Sequence, residues 1–295
     1  MFAGNGLGGT ATGKGVASFS GAYGLVIDKS GNLYASDYST TLIRKITPDG
    51  NVSTFAGNTY HVSNGTPASI DGAGTAASFT APAGMTIDGS GNIYVADQLT
   101  IRKITPDGVV TTVEGSRYFN NSLFLDITLD TYGNIYASDI NNEVILKINT
   151  NGTSEIFANG GITGTNGFKE PLGMAFDGSG NLFLVDGDNA IHKISTDKTV
   201  STIAGKAMVQ GFSNGLGAQA SFLNPVGIIR DPSGNLFVSD YGNRAIREIM
   251  SDGSVSTVVL TNDRNSPSGP SDMVFDSSGN MFLDDGTSIL KITLQ

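Results

Sequence analysis

One phrase recurs six times along this chain: an Asp, about two small turn residues, Gly-Asn, an apolar run, and a second Asp. The Gly-Asn pairs are Gly31-Asn32, Gly91-Asn92, Gly133-Asn134, Gly180-Asn181, Gly234-Asn235 and Gly279-Asn280. A short unit repeated through nearly a whole chain commits it to a repeat architecture, because each unit must bury its apolar face against the next. The repeat also disciplines any functional reading. A residue present in every copy serves the copy, so a site is sought where the copies differ.

Aligned on Gly-Asn, each copy holds four β-rich runs bounded by turn residues, the pattern of consecutive antiparallel strands. Residues 24–57 read GLVID KSGN LYASD YSTTL IRKIT PDGN VSTFAG, and residues 84–115 repeat the scheme. Leu25, Val26 and Ile27 form a continuous apolar first run, as in strands covered on both faces. The third run alternates, with Ile43 and Ile46 flanking Arg44 and Lys45, and the fourth is more polar. The expectation is burial that falls from the first strand to the fourth, as in a propeller blade with its inner strand at the axis. Turns of the type Asp28-Lys29-Ser30-Gly31-Asn32 and Pro48-Asp49-Gly50 then share one face of the disc. The loops between strands two and three, and the links between blades, occupy the other.

The reading is an all-β, six-bladed β-propeller of four-stranded antiparallel blades, a single domain over residues 1–295. The blades run roughly over 24–57, 84–115, 125–160, 173–205, 227–260, and 272–295 with 1–4. The sixth copy stops after its third run at Ile289-Leu290-Lys291-Ile292-Thr293, and Met1-Phe2-Ala3-Gly4 matches the end of a fourth run. The N-terminal strand is therefore expected to complete the last blade and remove its open edge. Three links end in Ala-Ser-Phe, and Phe19, Phe79 and Phe222 are read as aromatic plugs between blades.

The repeats resemble NHL-repeat proteins, a β-propeller family, through the pattern G-(apolar)-D-x-x-GN-(apolar)-D…IRKI…DG-V-x-T-x-AG. The stretch Asp240-Tyr241-Gly242-Asn243-Arg244-Ala245-Ile246-Arg247 is the closest single match to the family motif. The resemblance covers nearly the whole chain and implies the propeller fold. It leaves function open, since the family includes binding scaffolds, lyases and recognition modules.

Composition narrows the field. A net charge of −10 with dispersed basic residues disfavours nucleic acid. No apolar run of about 18 residues predicts membrane insertion, and zero Cys removes disulfides and thiolate metal sites. With no recognisable signal segment, a secreted or periplasmic location rests on family habit and the Ser/Thr/Asn-rich, Cys-free composition. The chain is expected to be a monomer or part of a larger chain.

Twelve repeated aspartates are read as loop caps. Asp37, Asp97, Asp139, Asp186, Asp240 and Asp285 close the second runs; Asp28, Asp88, Asp130, Asp177, Asp231 and Asp276 close the first. The departures are the site candidates. Where four copies have Gly24, Gly84, Gly173 and Gly227, copies three and six have Asp126 and Asp272, on blades opposite each other. These two could hold a cation such as Ca, or the amine of a ligand, at the channel mouth, or simply cap a loop. Arg230 stands in an innermost strand where an apolar residue is usual, and Asp284 is its candidate partner. Tyr38, Tyr60 beside His61, Tyr118 beside Phe119, and Tyr241 fall in loops of the same face, where flat amphipathic rings suit sugars or peptides. No nucleophile–base pair is recognisable, and two His residues are too few for a Zn lyase.

The expected function is a non-catalytic binding or scaffolding propeller recognising a protein or carbohydrate. The alternative is a metal- or acid-assisted hydrolase or lyase built on Asp126, Asp272 and Arg230.

Overall fold

The computed structural model describes residues 1–59, 69–160, 167–260 and 267–293. It contains six antiparallel sheets in a ring. From inside outward, blade 1 is Ala22–Ile27, Leu33–Asp37, Leu42–Ile46 and Val52–Ala56. The inner strands of blades 2 to 6 are Pro82–Ile87, Phe124–Leu129, Pro171–Phe176, Pro225–Arg230 and Met273–Phe275. Ala3–Gly4 pairs antiparallel with Ser288–Thr293, Ala3 opposite Ile289, so the N-terminal strand closes blade 6 as expected. Phe2 secures this seal with its ring 4.9 Å from Phe282. Blades 2 and 5, facing each other, gain a short fifth strand from their links, Gly72–Ala73 and Gly215–Leu216. No helix among the described residues is long and apolar enough to cross a membrane.

The Gly-Asn turns are built as the sequence suggests. Asp28 accepts hydrogen bonds from the backbone N–H of Ser30 and Asn32, both at 2.9 Å, and from Asn32 Nδ2 at 2.7 Å. The same cage recurs at Asp88 and Asp276. Burial raises the Asp28 pKa, but hydrogen bonds led by Asn32 outweigh it and hold the carboxylate below its usual range.

The burial order differs from the expected gradient. The second strands are the most enclosed, every residue of Leu33–Asp37, Ile135–Asp139 and Leu236–Asp240 being buried. They lie mid-blade with neighbouring blades over both faces, whereas the inner strands border the axial channel and stay half-buried at several positions. The third strands are nearly as enclosed as the second, and their arginines are not at the surface. Arg44, Arg102 and Arg247 are completely buried.

Each of these arginines joins the repeated Asp to the Ala-Ser-Phe link. Nη1 lies 3.7, 3.3 and 3.0 Å from Oδ2 of Asp37, Asp97 and Asp240 respectively. It also donates to the carbonyl of Ser18, Ser78 or Ser221. The guanidinium carbon sits 5.3, 5.4 and 5.1 Å from the ring centres of Phe19, Phe79 and Phe222. The three Phe are fully buried plugs, as expected, and each is roofed by an arginine. In blade 4 His192 replaces the Arg, with Nε2 2.8 Å from Asp186 Oδ2. Burial depresses the Arg44 pKa and raises that of Asp37 despite their attraction, the signature of an enclosed pair held by geometry.

Removing one partner of such a pair leaves a buried, uncompensated charge. Arg102→Met is expected to lower unfolding stability by about 3–5 kcal/mol, measured by urea denaturation, with Arg230→Ala within about 0.5 kcal/mol of wild type.

Candidate functional site

At the axis the inner strands approach backbone to backbone. A Cβ on Gly24 would overlap the Ala83 carbonyl, one on Gly84 the Leu125 carbonyl, and one on Gly227 the Ser271 carbonyl. Glycine at these positions is thus a condition of closing the ring. The order around the axis is Gly24, Gly84, Asp126, Gly173, Gly227, Asp272, a pseudo-twofold arrangement of two glycines and an aspartate.

The two carboxylates occupy equivalent places. Asp126 Oδ2 accepts the Met174 N–H of blade 4 at 2.7 Å, and Asp272 Oδ2 accepts the Leu25 N–H of blade 1 at 2.7 Å. Each donor follows a glycine of the next blade, so each Asp bridges a seam between blades. Asp272 Oδ1 also accepts the Met273 N–H. Both aspartates line a small axial cavity of about 20 Å³, with Tyr23, Gly84, Gly173, Val226, Gly227, Ile228 and Ser271. That is room for one water-sized group.

Burial dominates their electrostatics. It pushes Asp272 up to about 7, against hydrogen bonds from Leu25 and Met273. It also raises Asp126 well above the usual carboxylate range, helped by repulsion from Asp272. Asp284, on the second strand of blade 6, is also raised, chiefly by burial. Its Oδ1 accepts the Gly286 N–H at 2.7 Å, while its wholly buried Oδ2 makes no hydrogen bond.

A wider bowl of about 420 Å³ opens above this cavity on the loop-rich face. Its residues include Tyr23, Tyr38, Tyr241, Ser268, Gly269, Ser271 and Asp285. Tyr23, Val226 and Ser271 border both spaces, so the bowl stands directly over the carboxylates. Tyr38 and Tyr241 are each about half exposed, and the Tyr23 and Tyr38 rings lie 6.3 Å apart at 39°. Asp285 holds the rim by accepting the backbone N–H of Gly269 at 3.0 Å and of Ser268. The Tyr23 hydroxyl is held above its usual pKa by burial and then by the charges of Asp126, Asp272, Tyr38 and Asp284.

The structure brings four of the sequence candidates together here: Asp126 and Asp272 below the mouth, Tyr38 and Tyr241 at the rim. Asp284 lies behind Asp272, to which its N–H is linked through the Asp272 carbonyl at 3.0 Å. Arg230 is a correction. It is exposed and ends its inner strand opposite Leu236, beside Gly234, on the Gly-Asn turn face. Asp284 pairs with Ile289 near the other end of the disc and is not its partner. A six-residue strand carries Arg230 past the core instead of into it. Tyr118 packs edge-on against Phe119 at 4.7 Å and borders neither space. Tyr60 and His61 lie outside the described residues.

Tyr23 was not singled out by the repeat. The signal was present, since the equivalent positions are Ala83, Leu125, Leu172, Val226 and Ser271, none aromatic. Calcium fits poorly, because it takes about six to eight oxygens and no three acidic or imidazole side chains converge among the described residues.

The fold and its axial site define a six-bladed β-propeller with a solvent-facing bowl. The chain is a six-bladed β-propeller similar to NHL-repeat propellers. Residues 70–131 match the family described as the teneurin NHL domain. Teneurin-3 of Mus musculus is 25% identical over 306 aligned positions, covering 85% of this chain and 11% of that protein. The chain spans about a tenth of the length of the curated relatives it matches. An auxiliary nutrient binding protein from Bacteroides thetaiotaomicron superposes with a TM-score of 0.73 at 15% identity, over 97% of this chain and 72% of that one. Virginiamycin B lyase from Staphylococcus aureus gives 0.65 at 16%, over 94% and 96%. At these identities the two structures share the fold.

The axial acids set a pH dependence. A carboxyl whose folded pKa is raised keeps its proton in the native state while the unfolded chain loses it, so stability falls as pH rises. For Asp272 the loss runs from about pH 4 to its folded value of about 7 and then levels off. Melting temperature is expected to fall across this window, and less steeply in Asp272→Asn; differential scanning calorimetry at several pH values measures it.

Proposed function

We propose that this propeller is a non-catalytic binding or scaffolding module that takes a protein or carbohydrate group into the bowl of its loop-rich face. The observation that carries this reading is the tyrosine-lined bowl. Three tyrosines surround a space of about 420 Å³ on an otherwise repetitive frame. Its size falls within the usual range for ligand pockets, and tyrosine offers an apolar face with a polar tip at little entropic cost. The rim is held by backbone bonds between blades 6 and 1, Gly21 and Ala22 donating to the Gly286 carbonyl at 3.1 and 2.9 Å. A rigid frame with unequal loops suits recognition.

The relatives are compatible with this reading. One protein of the same fold is a nutrient-binding protein, and the family match is to a domain of large multidomain proteins. The hydrolase or lyase reading has less support. Asp126 and Asp272 are already engaged by backbone donors below a cavity of one-water size, and Arg230 is on the opposite face. His192 is buried within a blade, bonded to Asp186 and Thr202.

Tyr38→Ala/Tyr241→Ala is expected to bind partners recovered from peptide and glycan arrays at least about tenfold more weakly than wild type. Its melting temperature should be nearly unchanged, because both side chains are exposed. Unchanged array binding in the folded variant would remove the bowl from the proposal.

A further inference from the structure

We infer that the bowl and the axial cavity beneath it form one site for a primary ammonium group, whose stem lies against Tyr23, Tyr38 and Tyr241 and whose head enters between Asp126 and Asp272. The inference rests on the binding reading above and names the chemistry of the group bound.

Three features of the site converge on it. The first is shape: a wide aromatic bowl narrows to a space for a single water-sized group, with Tyr23 and Ser271 bordering both. An –NH3⁺ head fits such a space, and a quaternary ammonium does not. An alkyl stem lies along tyrosine faces while its charged end reaches polar groups beyond.

The second is charge. The titratable groups around the axis are Asp126, Asp272 and Asp284 from three strands, with Tyr23, Tyr38, Tyr241 and Asp285 above. No Lys, Arg or His is among the described residues lining either space. A carboxylate offers about four acceptor positions, and each axial Asp fills its positions with only one or two backbone donors. Elsewhere in the chain the buried aspartates Asp37, Asp97 and Asp240 each have an arginine beside them. At the axis that place is left for a ligand.

The third is an unpartnered atom. Asp284 Oδ2 is wholly buried without a hydrogen bond, and its carboxyl acts electrostatically on Tyr23 at the junction of bowl and cavity. A buried polar atom left without a partner is uncommon. A cation entering beneath Tyr23 would sit against Asp126 and Asp272, with Asp284 behind Asp272.

The chemistry has a linkage consequence. An ammonium in the cavity favours ionised Asp272, which titrates at about 7 in the free protein. Binding therefore releases protons, and affinity rises with pH while the amine, with a pKa near 10.4, stays charged. The same head group occurs on a lysine side chain, a peptide N-terminus and a free alkylamine.

The test is isothermal titration calorimetry on the intact chain. The probes are n-butylammonium, Nα-acetyl-lysine methylamide, glycinamide, tetramethylammonium, 1-butanol and calcium chloride. Saturable binding of n-butylammonium is expected, weakened about tenfold or more by Asp272→Asn, and strengthened between about pH 5.5 and pH 8. A lysine source requires the acetyl-lysine amide to bind more tightly than glycinamide; the reverse order assigns a peptide N-terminus. Equal binding of 1-butanol or tetramethylammonium, or binding of calcium alone, would overturn the inference. If Asp272→Asn does not fold, titrating wild type in two buffers of different ionisation enthalpy decides the matter, since absence of proton release is equally fatal. Absent ammonium binding with a persisting Tyr38→Ala/Tyr241→Ala defect on the arrays overturns the ammonium site and leaves the binding face standing.

Discussion

Six inner strands meet at the axis with almost no room between their backbones, and the candidate site depends on where that contact is relaxed. At four positions glycine lets one strand rest against the carbonyls of the next. At the other two an aspartate reaches over the seam and bonds to the following blade. The substitution does more than fill space. It draws two carboxylates into a region where water cannot solvate them fully, so the closure of the ring is also what raises their pKa values. A looser ring would place the same residues in water and leave them ordinary.

A second interaction keeps the loops above that ring in place. Where a link arrives as Ala-Ser-Phe, the phenylalanine fills the gap between blades and the third-strand arginine covers it while gripping the Asp that ends the second strand. The Asp in turn receives N–H groups of the incoming link, as from Ser20 to Asp37 and from Leu223 to Asp240. Link, blade edge and loop are tied through one buried pair. Such a pair gives little net stability, since its desolvation opposes its attraction, but it fixes one arrangement of long links. The link into blade 1 reaches the bowl at Gly21, so the Arg44–Asp37 pair holds one side of it.

The fold was legible because its signal repeats. Gly-Asn turns, apolar runs and the returning N-terminal strand all follow from local chemistry written six times, and the repeated Asp residues proved to be caps. The buried arginines were not legible from their own strand. Alternation in Leu42–Ile46 reads as one solvent-facing side, yet Arg44 faces a neighbouring link and Lys45 is only half-buried. The missing clue was a correlation between distant segments: Arg44, Arg102 and Arg247 occur in the blades preceded by Ala-Ser-Phe. Arg230 misled for the opposite reason. Its strand is innermost, but its position at the strand end decides exposure, and a repeat alignment gives columns without the depth of each column in the disc.

At the site itself, departures from the repeat located the acids and part of the rim, while Tyr23 emerged only when the strands were set around an axis. Its column holds no other aromatic, but size alone does not say that one ring will stand over carboxylates contributed from blades 3 and 6. That is a property of closure, since Asp126 and Asp272 are separated by nearly half the chain and meet because half a turn of blades lies between them. The arrangement also argues for recognition over reaction. The space between the two carboxylates admits about one water-sized group, and each carboxylate is anchored to a strand by a backbone N–H. What such a site can offer is carboxyl oxygens fixed at the bottom of an aromatic bowl, whose ionisation an incoming cation would favour.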